Sequence, residues 1–193
     1  MNAFRWALHR RLGEPFSLAG ADAVDTGETP REEAIQALAG AFTLLDHVSP
    51  FMLRRVKREL RRYLLRDTAF PRYIPHLRCV LLGKDSIAQS NNAEIALILV
   101  HEATHARLER LGVRATRFGL ERIEMVCMRR ELALASHFPD SAAWTNYVES
   151  KINSRFWARK HIRERLEREL LKSNFPPWVV KSLASFATRN HPD

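Results

Sequence analysis

The chain is predicted to be an α+β protein: one mainly helical domain with a small β-sheet beside a buried helix. Three features carry this reading. Apolar residues recur at helical spacing in successive segments, a short alternating run from Leu77 to Leu82 ends at Gly83, and the stretch Ala93 to Val100 is apolar nearly all round. At 193 residues and 46% hydrophobic, the chain can bury one core and does not demand a second.

Residues 1–28 contain Gly13, Pro15, Gly20, Asp22, Asp25 and Gly27, which suggests a loosely structured arm ahead of a domain over 29–193. Thr29-Pro30-Arg31-Glu32 has the pattern of a capping box with proline at the first helical position, and Ile35, Leu38, Phe42 and Leu45 then follow a helical face to about His47. Ser49-Pro50 opens a second helix. Its apolar stripe is Leu53, Val56, Leu60 and Leu64, and Arg54, Arg55, Lys57, Arg58, Arg61 and Arg62 occupy much of the other face.

After Pro71 and Pro75, the run from Leu77 to Leu82 is the best strand. A second short one over Ser86 to Gln89 could pair with it through Gly83-Lys84-Asp85. Asn91-Asn92-Ala93-Glu94 repeats the capping-box pattern and opens a central helix from Asn92 to Leu111, closed by Gly112. Further helices are expected over Phe118 to His137, from Ser141 to about Leu171 with a basic surface, and from Pro176-Pro177 to Phe186. Trp144, Trp157 and Trp178 read as packing anchors.

The formal net charge of +9 is spread along the chain, which permits contact with nucleic acid or an anionic surface without identifying a partner. Two cysteines, Cys79 and Cys127, are too few for a disulfide framework or a thiolate zinc cluster, and Cys127 in its apolar run reads as core packing. The first twenty residues break their apolar run with His9, Arg10, Arg11 and Glu14, so a signal-peptide core is not expected. The most apolar stretch is far shorter than a membrane span and contains Glu94. A cytoplasmic setting is the expectation.

The chemistry concentrates on the central helix. His101-Glu102-Ala103-Thr104-His105 puts two imidazoles four residues apart, so that both can reach one metal ion. Glu102, beside the first of them, is placed to take a proton from water without itself binding the metal. Amide hydrolysis needs this combination, because the carbonyl is a poor electrophile and water a poor nucleophile; zinc polarises the one and acidifies the other. An open zinc site takes three protein ligands. Leu108 and Leu111 stand where the pattern His-x-x-Gly-x-x-His would need glycine and a third histidine. The next helix offers Glu121, Glu124 and Glu131. If it runs back antiparallel, Glu124 comes level with His105, Glu121 falls near the loop as a reserve, and Glu131 lies about two turns past His105.

These residues resemble the zincin metallopeptidases, and among them the gluzincins, in which a HExxH helix is followed by a helix that supplies a glutamate. The match is His101, Glu102 and His105 with Glu124, 18 residues lying between it and His105, and covers roughly residues 76 to 131. The resemblance implies one Zn2+ held by His101, His105 and Glu124, Glu102 as general base, a peptide or protein substrate, and a small sheet whose edge strand, here Leu77 to Leu82, binds that substrate. The family often places an aspartate four residues after the glutamate to orient a histidine; Met128 stands there, with Glu131 as the substitute. Tyr147, His137 and His161 are candidates for steadying the oxyanion. The Glu-Gly-Cys segment of deformylases is missing. The alternative is a non-catalytic or regulatory zinc protein whose basic helices, around Arg54 to Arg66 and Lys151 to Lys172, bind nucleic acid or an anionic surface.

Overall fold

A computed structural model describes residues 2–67, 70–155, 157–158, 163–164, 167, 171 and 176–187. Its elements in order are α1 (Asn2–Leu12), β1 (Glu14–Leu18), β2 (Ala21–Asp25), α2 (Glu32–Val48), α3 (Pro50–Glu59), β3 (Arg62–Arg66), β4 (Arg72–Ile74), β5 (Cys79–Gly83), α4 (Lys84–Gln89), α5 (Asn92–Arg110), α6 (Ala115–Phe118), α7 (Leu120–Ala135), α8 (Ser141–Asn153) and α9 (Pro177–Ala187). The architecture is mixed α+β, as expected, around a five-stranded sheet of order β1-β2-β3-β5-β4.

The sheet begins where an unstructured arm was expected. Ala19 and Gly20, both at positive φ, make the tight turn that pairs β1 with β2. Strand β2 then lies parallel to β3, and β3 parallel to β5. Parallel central strands are covered on both faces and so read as continuous apolar runs. Here those runs are Tyr63-Leu64-Leu65 and Val80-Leu81-Leu82, all buried. One face, through Ala23, Tyr63, Leu65, Val80 and Leu82, joins the main core with the helices; the other, through Val24, Leu64 and Leu81, is covered by Trp6 of α1.

This sheet corrects several expectations. The basic helix does not continue to Leu64: α3 stops at Glu59, and the next residues are drawn into the centre of the sheet. Ser86 to Gln89 is not a strand but part of α4, which buries Ile87. No hairpin turn forms at Gly83-Lys84-Asp85. Lys84, 2% exposed, is instead held by Asp25 and Asp67 at 3.0 Å and by the Thr29 carbonyl. Nor does Thr29 cap α2. Its amide and hydroxyl donate to Asp67 at 3.0 and 2.6 Å, and α2 starts at Glu32 without a side-chain cap. The Leu77 to Leu82 strand is real as β5 but internal; the edge strands are β1 and β4.

Helix α5 forms as anticipated. Asn91 Oδ1 accepts from the amides of Ala93 and Glu94 at 3.0 Å, and Glu94 returns a bond to the Asn91 amide at 3.2 Å. At the other end Gly112, φ +77°, lets the amide of Val113 reach back to Leu108 and its own amide reach Glu109. Between these caps Ile95, Ala96, Leu97, Leu99, Val100, Ala103 and Ala106 are buried, with α2 and α3 packed alongside. Helix α7 runs back over α5, and α8 packs on α7 and ends in a turn after Asn153; of the stretch expected to carry it to Leu171, residues 163–164, 167 and 171 are helical and most of the rest lies outside the described residues. Trp157 is buried, and Trp144 packs edge-on against Phe138, as anchors should; the Trp178 side chain lies outside the described residues. Among the described residues no helix is long and apolar enough to cross a membrane.

Candidate metal centre

The i, i+4 spacing on α5 stacks the rings of His101 and His105 with centroids 4.9 Å apart and their Nε2 atoms 3.1 Å apart. Helix α7 turns a stripe toward them, because Ile123, Cys127, Met128 and Leu134 fill the core on that side. Glu124 on this stripe places Oε2 3.2 Å from His101 Nε2 and Oε1 3.4 Å from His105 Nε2. A tetrahedral zinc with Zn–N near 2.0–2.1 Å spaces neighbouring donors by about 3.3–3.4 Å. The observed separations lie close to that value, with each histidine facing a different oxygen of Glu124, so the donor types and spacing suit such an ion.

Two turns along α7 from Glu124, Glu131 is 1% exposed and meets His101 Nδ1 at 2.6 Å. Its other oxygen accepts from Lys151 Nζ at 2.7 Å. Where His101 is neutral, this contact fixes its tautomer: Nδ1–H donates to Glu131, and Nε2 is the nitrogen turned toward His105 and Glu124. Glu131 thus sits where Met128 left the ring without a partner.

The electrostatics follow from these distances. Burial opposes charging His101, but the carboxylates of Glu124 and Glu131 outweigh it and raise the imidazole to about 10. Burial also opposes ionising Glu124, yet the bonds to His101 and His105 hold its carboxyl well below the usual range. Glu131 is lowered in the same way, by His101 and then Lys151, against its burial. Burial and the neighbouring Glu124, Glu102 and Glu131 push the Cys127 thiol up.

Glu102, buried one residue from the first histidine, does not point into solvent. Its Oε2 accepts from the backbone amide of Tyr73 at 2.5 Å, which ties α5 to the edge strand β4. That amide therefore faces the site and not β5.

The remaining candidates separate clearly. Glu121 is half exposed and paired with Arg155 at 2.9 Å, so it is no reserve ligand. His137 is exposed past the end of α7, away from the cluster. Tyr147 lies on α8 with its ring 5.5 Å from Lys151 Nζ, one residue removed from Glu131 and two from His101. His161 lies outside the described residues.

Three participants escaped the sequence reading. Cys127, taken as packing, has its sulfur within 4.8 Å of ligand nitrogens of His101 and His105. Its position three residues after Glu124, on the same helical face, was the available signal. Lys151 and the Tyr73 amide gave none, the first being one of many basic residues and the second lying in a three-residue strand. Comparison with protein-family models, curated proteins and solved structures finds no match for this chain.

Proposed function

We propose that the chain is a zinc-dependent peptidase that hydrolyses peptide bonds with Glu102 as general base. What supports the reading above all is the clustering of His101, His105 and the two carboxylate oxygens of Glu124 at separations of 3.1, 3.2 and 3.4 Å, beside the buried Glu102 on the same helix as the histidines. Bound there, zinc would supply Lewis acidity for the amide carbonyl and lower the pKa of water. His101 and His105 would hold the ion through Nε2 and Glu124 through its carboxylate, the three protein ligands that a catalytic zinc takes. Glu131 keeps the Nδ1 proton of His101 in place. Glu102 accepts the proton of the attacking water and can return it to the leaving amine. The free edge of β4 offers backbone groups for an extended peptide.

The test is metal content together with cleavage of a mixed peptide library. The parent should carry about one zinc per chain, and Glu102→Gln should retain the metal while losing on the order of 10²–10⁴ in rate. Equal cleavage by that variant would refute the role of Glu102.

Cys127 favours a second reading. With its sulfur beside both histidines, it can serve as a fourth protein ligand and close the centre, which suits a structural or regulatory zinc in a non-catalytic protein. Cobalt substitution separates the two. A thiolate-to-cobalt charge-transfer band that disappears in Cys127→Ser supports the closed centre; its absence in the parent supports the open one.

A further inference from the structure

Formal charge is polarised between segments that fold into different parts of the molecule. Residues 14–49, which carry β1, β2 and α2, hold seven acids and one arginine. Residues 51–62 hold six basic residues and one acid, and residues 107–117 hold four and one. The two basic segments meet in space: Glu59, at the end of α3, accepts two bonds from Arg110 of α5 and one from Arg58, all at 3.0 Å. Glu109 is likewise paired, with Arg114 at 3.2 Å. Both acids of this face are thus already matched, while among the described residues no ion pair joins Arg54, Lys57 or Arg61 to an acid. We propose that this face, the outer row of α3 with the C-terminal end of α5, binds single-stranded nucleic acid.

The row follows from how α3 packs. Because Met52, Leu53 and Val56 are sunk in the core, Phe51, Arg54, Lys57, Arg58 and Arg61 are left exposed along the outer side. Charges on successive turns lie about 5.4 Å apart along the axis, a ladder on the scale of successive phosphates of an extended strand. Arg61 follows the end of α3, yet its Nε donates to the Arg58 carbonyl at 3.3 Å and keeps it in line. Like charges three and four residues apart repel on a helix, and a polyanion lying along the row relieves that repulsion. Most of these groups are guanidiniums, which match phosphate oxygens in pairs and stack on bases.

Phe51 decides between partners. It is 58% exposed, with its ring 5.0 Å from the guanidinium carbon of Arg55. An open aromatic ring backed by arginine, at one end of a row of cations, is a platform for an unpaired base. In a duplex the bases are stacked on one another and out of its reach. An anionic membrane fits less well, since the apolar side of α3 is spent in the core and leaves no face to lay into lipid. Arg110 lies nine residues from His101, on the opposite side of α5, so this face is separate from the metal centre.

The experiment follows fluorescence anisotropy of a short labelled oligothymidylate with the full chain over a range of salt concentrations. Binding should weaken with salt, and Arg54→Gln, Lys57→Gln and Arg61→Gln should each reduce the log–log salt slope by about 0.7. Phe51→Ala should weaken binding about fivefold or more with the slope unchanged. All four positions are exposed, so the fold should tolerate the changes. Lys181→Gln, exposed on α9, should leave both quantities as they are, and Glu102→Gln should bind as the parent does. No binding at low salt overturns the proposal, as does unchanged binding by the three charge variants. Equal or tighter binding of the matching duplex overturns the single-strand assignment. Equal competition by polyglutamate at matched charge would reduce the face to general attraction for anions, and displacement of the strand by phosphatidylserine vesicles would make it a lipid surface. Loss of binding on adding a zinc chelator would move the strand to the histidine centre; each of these three results also refutes the proposal.

Discussion

Glu131→Gln isolates the contribution of a residue that binds no metal itself. The side chain keeps its shape, and an amide oxygen can still accept the Nδ1 proton of His101 at the place where the carboxylate now does so at 2.6 Å. What is lost is charge. The bond to His101 becomes neutral, and Lys151, now at 2.7 Å, loses its counter-ion. Replacing the partner that orients a metal-binding histidine typically weakens metal affinity by about 10–100-fold, or about 1.4–2.8 kcal/mol. Lys151 is a quarter exposed and can turn to water, so the fold should tolerate the change better than it would an unpaired buried acid. Competition for zinc against a chelating dye at neutral pH measures the effect, with the unfolding midpoint of the metal-free variant as control. Unchanged zinc affinity in a well-folded Glu131→Gln would refute the assignment of Glu131 as the group that orients His101.

Three further outcomes follow from the fold. Lys84→Met should destabilise the chain by about 3–5 kcal/mol in denaturant titration, because it leaves Asp25, 8% exposed, as a buried charge without its partner. The Asp67 carboxyl is held below its ordinary 3.8, chiefly by the Thr29 hydroxyl and further by Lys84 and the amides of Glu28 and Thr29. Its stabilising effect is therefore present above about pH 4 and lost as pH falls toward the folded-state value. Acid unfolding of Asp67→Asn should show a shallower loss of stability over that range than the parent, and parallel curves would contradict the arrangement. Leu97→Ala, at a fully buried position on α5, should cost about 2–5 kcal/mol in the same denaturant titration.

What the sequence disclosed follows the range of the interactions. Helix α5 was legible from end to end because its caps, Asn91 with Glu94 and then Gly112, act within five residues of the positions they satisfy. The level of Glu124 beside His105 was legible for a related reason: two helices joined by a short connection leave little freedom in height. Strand β3 was hidden because Leu60 and Leu64 extend the helical stripe of α3, while only pairing with β2 and β5 reveals that Tyr63, Leu64 and Leu65 are all buried. The N-terminal hairpin was hidden by its glycines, read as signs of looseness when Gly20 is a turn residue. Thr29 had a distant competitor in Asp67, 38 residues away, which no local capping pattern can anticipate.

The hydrogen bond between Glu102 and the Tyr73 amide makes two demands on one group. An extended chain docking along β4 would seek that N–H for its own carbonyl, while Glu102 now occupies it. On the proposed reading, docking and release of the carboxylate would be a single exchange: the arriving carbonyl would free Glu102 at the moment a bond to attack is in place. In the free protein the same arrangement shields an edge-strand amide that would otherwise be open to unwanted pairing. Slow hydrogen exchange at Tyr73, accelerated in Glu102→Ala, would be its signature.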